Sequence, residues 1–97
     1  MNLSFDEICQ RISPIAAQYG VERIYLFGSR ARGDHNDLSD YDFLITLGEI
    51  KNMVQLGCFI DDLSKALDCD VDVVSDNSTD QDFVGIAKKE GVLIYDT

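Results

Sequence analysis

Two pairs of aspartates, each with one residue between, are the groups best able to do chemistry in this chain. They are Asp40 and Asp42 in "SDYDFL", and Asp70 and Asp72 in "CDVDVV". In an extended strand alternate side chains share a face, so each pair presents two carboxylates together. Side by side they repel one another unless a cation sits between them. Hard divalent ions, Mg²⁺ first and Mn²⁺ second, take such oxygen ligands. If the two strands are neighbours, one acid of the second pair completes a three-carboxylate cluster. Such a cluster can hold two ions about 3.5–4 Å apart.

Upstream, Gly28-Ser29 closes an apolar run. The glycine lets the backbone turn and lets a bulky anion come close. Ser29 offers an N–H, a hydroxyl and a place at a helix N-terminus, which suits a phosphate. Arg30 and Arg32 add positive charge, but two apart on a helix they do not share a face. One is expected to serve phosphates and the other to pin the loop, through an acid such as Asp37 or Asp40. Taken alone, a D-x-D pair is more often a solvated stretch of edge strand than a metal site. The order of the parts is what is specific: strand, G-S, short gap, S-D-x-D on a second strand, then D-x-D on a third.

The elements that must carry these residues can be read from pattern. Ser4 and Glu7 form a capping box ahead of Ile8, Ile12, Ile15 and Ala16. Pro14 either kinks that helix or opens a second one capped by Ser13, and Gly20 ends the segment. "VERIYLF" (21–27) reads as a strand, "SRARG" as a short helix ended by Gly33, and "DYDFLITL" (40–47) as a second strand. A helix is expected over roughly 49–67, with Met53, Leu56, Ile60, Leu63 and Leu67 on its inner face. Residues 69–75 alternate as a third strand. Ser78 or Thr79 is expected to cap a helix over 79–89 with Phe83, Ile86 and Ala87 inward. Residues 91–96 make a last strand. This order implies an α/β (α+β) fold: a small mixed sheet with helices mainly on one face.

The 97 residues fit one domain, 1–97, with one core. Hydrophobic residues make up 45%, enough to fold. Eighteen acids against eight bases give a net charge of −10, which disfavours direct binding to nucleic acid or anionic membranes and suits a basic partner. Cys9, Cys58 and Cys69 form no C-x-x-C and read as thiols in a reducing compartment, expected to be the cytoplasm. The first ten residues do not have the look of a signal peptide, and no apolar run approaches the roughly 20 residues that span a bilayer. His35 reads as a solvated loop residue, and Lys88 and Lys89 as a dipole-favoured helix end.

"GSRARGDHNDLSDYDF" resembles the G-S-x-A-R-G…S-D-x-D signature of the minimal nucleotidyltransferases, relatives of DNA polymerase beta and kanamycin nucleotidyltransferase. "VDVV" (71–74) is similar to that family's third-carboxylate strand, and "PIAAQYGVERIYLF" and "AKKEGVLIYD" resemble its two ends. The resemblance implies that Gly28 and Ser29, with Arg30 and Arg32, bind ATP. It implies that Asp40, Asp42 and Asp72 are catalytic and ligate Mg²⁺. Asp70 lies on the face of Asp72 without a clear family role. The resemblance further implies an antitoxin of a toxin–antitoxin pair, which AMPylates a tyrosine of a HEPN-domain ribonuclease toxin within a homo- or hetero-oligomer. Two other readings stay open: an antitoxin acting by binding alone, and a transferase of the aminoglycoside type working with a helical partner subunit.

Overall fold

A computed structural model describes residues 3–34, 36, 39–77 and 80–96. Eight elements follow one another: α1 (Phe5–Tyr19), β1 (Arg23–Phe27), α2 (Ser29–Arg32), β2 (Tyr41–Thr46), α3 (Met53–Leu67), β3 (Val71–Ser75), α4 (Gln81–Glu90) and β4 (Val92–Asp96). The four strands make one mixed sheet in the order β3-β2-β1-β4. β1 runs antiparallel to both β2 and β4, while β2 and β3 are parallel. A parallel pair needs a long crossover, and α3 provides it.

α1 starts with the expected reciprocal capping box between Ser4 and Glu7 and ends at Gly20 in the left-handed conformation. Pro14 lies inside this one continuous helix and opens no second one. The Ser13 hydroxyl donates to the Cys9 carbonyl at 2.6 Å, so it serves the helix interior and not a new cap.

α3 begins later than its hydrophobic pattern suggests, at Met53, because Asn52 caps it by accepting from the Gln55 N–H at 2.9 Å. Met53 is therefore in the first turn and 79% exposed; the buried stripe is Phe59, Leu63 and Leu67, with Leu56 beside it. The expected caps of α4, Ser78 and Thr79, lie outside the described residues. Asp80 caps it instead, accepting from the Phe83 N–H. The inward residues are Val84 and Ala87, while Phe83 and Ile86 are turned outward. Small side chains let the helix lie close to the sheet, and Phe83 meets Phe27 edge-on at its margin, 5.5 Å between centroids.

α1 and α3 share one face of the sheet. Ile8, Ile12, Ala16, Phe59, Leu63 and Leu67 close there over Ile24, Leu26, Tyr41, Phe43, Ile45 and Ile94. Tyr19 of α1 donates to Asp62 of α3 at 2.7 Å and packs edge-on against Phe59. Among the described residues the opposite face is covered by α4, through Val84 and Ala87 on Leu44. The helices thus lie mainly on one face, and the other is left half open. Among the described residues no helix is long and apolar enough to cross a membrane.

Candidate active site

Strand alternation sorts β2 into two roles. Tyr41, Phe43 and Ile45 enter the α1/α3 core, so Asp42 and Leu44 project on the α4 face. Asp40 lies just ahead of the strand and is exposed. In the parallel register Asp42 stands directly beside Asp72, just as Tyr41 stands beside Val71 and Phe43 beside Val73. Neighbouring strands are about 4.8 Å apart, so the two carboxylates rise side by side. Asp42 is half-buried, while Asp72 is exposed.

Electrostatics report the same grouping. The Asp42 carboxyl is pushed above the usual carboxylate range, first by desolvation and then by the like charges of Asp72 and Asp40, with Arg32 pulling the other way. Asp70 also precedes its strand; its carbonyl accepts the Tyr41 N–H at 3.0 Å, which starts the β2–β3 ladder, and its side chain is exposed. A groove passes Asp40, Asp70 and Asp72 along edge strand β3, floored by Gly57, Ile60 and Ser64 of α3. Another hollow, lined by Ala17, Gly20, Glu22, Gly48 and Glu49, lies at the far end of the sheet and contains none of the motif residues.

Gly28 is the register neighbour but one of Asp42: Phe27 faces Asp42 across the β1–β2 pair, and the chain then turns. Its backbone, φ 76° and ψ −156°, lies in a region essentially reserved for glycine. A Cβ at this position would also run into the Asp42 carboxylate. The glycine therefore makes room for a carboxylate of the protein itself, in addition to the turn read from the sequence. Ser29 opens α2, and Gly33 closes it in the left-handed conformation.

The two arginines divide as residues two apart on a helix should, but not in a way pattern could assign. Arg32 is exposed, pairs with Asp34 at 3.2 Å, and is the cation whose charge is felt by Asp42. Arg30, which the sequence reading put among the nucleotide-binding residues, is held by the protein's own loop. It is only 5% exposed, and its guanidinium is turned inward. Nε and Nη2 donate to the Ser39 carbonyl at 2.9 and 2.7 Å, and the group lies 4.1 Å over the Tyr41 ring. It pins the loop, as one arginine was expected to, but through a carbonyl and not through Asp37 or Asp40. Asp37 and His35 lie outside the described residues. Of the residues that complete this loop anchor, Ser39 is the serine of S-D-x-D, whereas Tyr41 and Cys69 carry no local sequence signal; only the fold brings Cys69 within reach of Ser39.

Hard carboxylate oxygens in mutual repulsion are the donor chemistry that suits a divalent cation. Asp40, Asp42 and Asp72 are the residues that could hold one. Among the described residues no three acidic, His or Cys side chains are already gathered as a metal would gather them. The exposed Asp40 and Asp72 would have to swing toward Asp42 on binding.

Residues 10–97 match the family described as Polymerase beta, Nucleotidyltransferase. A candidate protein adenylyltransferase of Methanocaldococcus jannaschii is 37% identical over 76 residues, 78% of this chain and 82% of that protein. Among solved structures, a chain of a toxin–antitoxin crystal structure with AMP-PNP superposes with a TM-score of 0.78 at 24% identity, over 92% of this chain and 73% of that one. A complex of the tri-AMPylated Shewanella oneidensis HEPN toxin with MNT antitoxin gives 0.73 at 21% identity, over 97% and 74%. At these identities the two structures speak for the fold.

Proposed function

This chain belongs to the polymerase beta nucleotidyltransferase family, and on that premise we propose that it is a Mg²⁺-dependent protein adenylyltransferase. In this reading it serves as the antitoxin of a toxin–antitoxin pair, moving AMP from ATP to a tyrosine of a HEPN-domain toxin in the cytoplasm. The observation that carries the reading is the register of Asp42 beside Asp72, with Asp40 two residues ahead of Asp42 and the Gly28 turn over Asp42. The adenylyltransferase name of the Methanocaldococcus relative and the AMPylated toxin of the Shewanella complex support the donor and acceptor. The net charge of −10 suits docking on a basic partner.

In this mechanism the Gly28-Ser29 turn receives the β and γ phosphates, and Arg32, at the same end of β1, adds positive charge. Asp40, Asp42 and Asp72 would hold the divalent ions, which would supply positive charge to neutralise the triphosphate and the three carboxylates together. Asp72, on the exposed edge strand, faces the incoming acceptor and takes up the phenolic proton. The tyrosine oxygen forms a bond to the α-phosphorus, the bond from that phosphorus to the bridging oxygen breaks, and pyrophosphate leaves.

The test is incubation with α-labelled ATP, Mg²⁺ and the cognate HEPN protein. Label should appear on the toxin. Asp40→Asn with Asp42→Asn should cut transfer by on the order of 100-fold or more. Transfer that survives the double substitution would overturn the assigned acids. A double variant that transfers nothing yet neutralises the toxin as well as wild type would favour an antitoxin acting by binding alone.

A further inference from the structure

Asp40 is exposed and precedes β2, and among the described residues no hydrogen bond or ion pair of its side chain fixes where it stands. Its position is inherited from the residues on either side. Ser39 is held at three points: its N–H donates to the Asn36 carbonyl at 3.1 Å, its hydroxyl accepts from the Asn36 N–H at 3.0 Å, and its carbonyl is the focus of Arg30. The Cys69 thiol donates to the same carbonyl at 3.3 Å. Tyr41, on the other side, is buried, stacks on Phe43, and lies under the Arg30 guanidinium. Arg30 therefore touches both neighbours of Asp40 at once.

Arg30 is also the second residue of α2, directly after Ser29. One side chain thus ties the turn that would take phosphates to the backbone that sets out the first acid. We propose that Arg30 is a positioning residue for the metal site, acting through the Ser39 carbonyl and the Tyr41 ring to hold Asp40 next to Asp42. The planar fork is what the job needs. Two parallel N–H groups fix a carbonyl in direction as well as distance, and the flat cation can lie on an aromatic face at the same time. A lysine ammonium is a point charge on a flexible stem and fixes neither. Groups that orient a ligand from behind typically govern metal affinity as much as fold.

The inference rests on the metal reading of Asp40 and Asp42, and the experiment separates the two. Mn²⁺ uptake by the full chain is measured by electron paramagnetic resonance without nucleotide or acceptor. This is done for wild type, Arg30→Lys, Arg30→Gln, Asp40→Asn, and each Arg30 variant combined with Asp40→Asn. Circular dichroism melts establish which variants fold. A folded Arg30→Lys or Arg30→Gln chain should bind Mn²⁺ about tenfold more weakly. In the Asp40→Asn background the same substitution should cost far less, because the group it positions is already lost. A folded variant that binds Mn²⁺ as wild type does, or whose effect adds in full to that of Asp40→Asn, overturns the proposal. So does the failure of both variants to fold, which would make Arg30 a residue of the core. A wild-type chain that takes up no Mn²⁺ overturns the metal site of the proposed function, and this inference falls with it.

Discussion

The two faces of the sheet are built to different standards, and β2 is where they meet. On one face α1 and α3 seal a continuous core in which Ile24, Leu26, Phe43, Ile45, Phe59 and Leu63 are fully buried. On the other, α4 lays Val84 and Ala87 over Leu44, and beyond that small patch stand Asp42 and Asp72. Because strand side chains alternate, one six-residue strand supplies Tyr41, Phe43 and Ile45 to the first face and Asp42 and Leu44 to the second. The closed face supplies stability through buried area, roughly 25 cal/mol per Å² of apolar surface. The thin face leaves room for a charged cluster that a full layer of helices would have desolvated at several kcal/mol per ion. A chain this small can keep like-charged acids together because their cost is offset across the thickness of a single sheet.

The sharpest way to break that contrast uses two adjacent isomers on opposite faces. Leu44 and Ile45 are both buried, at 1% and 0% exposure. Large-to-alanine substitutions cost about 2–5 kcal/mol, depending on how far the surroundings can collapse. Ile45→Ala should fall near the top of that range, enclosed by two helices, and Leu44→Ala near the bottom, since α4 alone can settle into the space. Equal losses in urea unfolding would show that the two faces are equally rigid. Next in size is Gly28→Ala. The positive-φ backbone of Gly28 costs about 1–3 kcal/mol for a residue with a Cβ, and that Cβ meets Asp42. Transfer activity should fall further than stability does, because the displaced carboxylate belongs to the site; a variant that loses stability but keeps full activity would detach the glycine from the chemistry.

The smallest effect concerns pH. Asp42 titrates above the ordinary carboxylate range because of desolvation and then the charges of Asp72 and Asp40. A carboxyl raised in the folded chain makes that state hold more protons than the unfolded one between the two values. This contribution to stability therefore falls as pH rises through that window, and it is recovered as pH drops. In the absence of metal, Asp42→Asn should melt slightly above wild type at neutral pH, with the gap closing as the solution is acidified through the carboxylate range. A gap that stays constant with pH would remove the like-charge account of the thin face.

Much of the fold was legible. The period of two in "YDFLIT", "VDVV" and "RIYLF", the Ser4–Glu7 box and the Gly20 stop gave the strands and α1, because each is a local rule with a local cause. Helix faces read less well. The inward residues of α4 depend on which side of the helix the sheet lies, and α4 touches only a corner of it, so Phe83 and Ile86 turned out and Val84 turned in. In α3 the apolar Met53 fell outside the core because Asn52 stops the chain short of it. In the site, D-x-D and G-S were visible as types and spacing. The division of labour between Arg30 and Arg32 was not.

From the sequence alone came the chemical inventory: acids alternating along strands, a glycine where a turn must admit bulk, two arginines that cannot share a face. Those follow from backbone periodicity and sterics, which act over a few residues. Tertiary structure decided what stands beside what. The parallel register set Asp72 against Asp42, thirty positions apart in the chain with the α3 crossover between them, and folding carried Ser39 and Cys69 to the guanidinium of Arg30. No local rule encodes those juxtapositions, because they arise only when β3 docks on β2 and the core beneath Tyr41 and Phe43 closes.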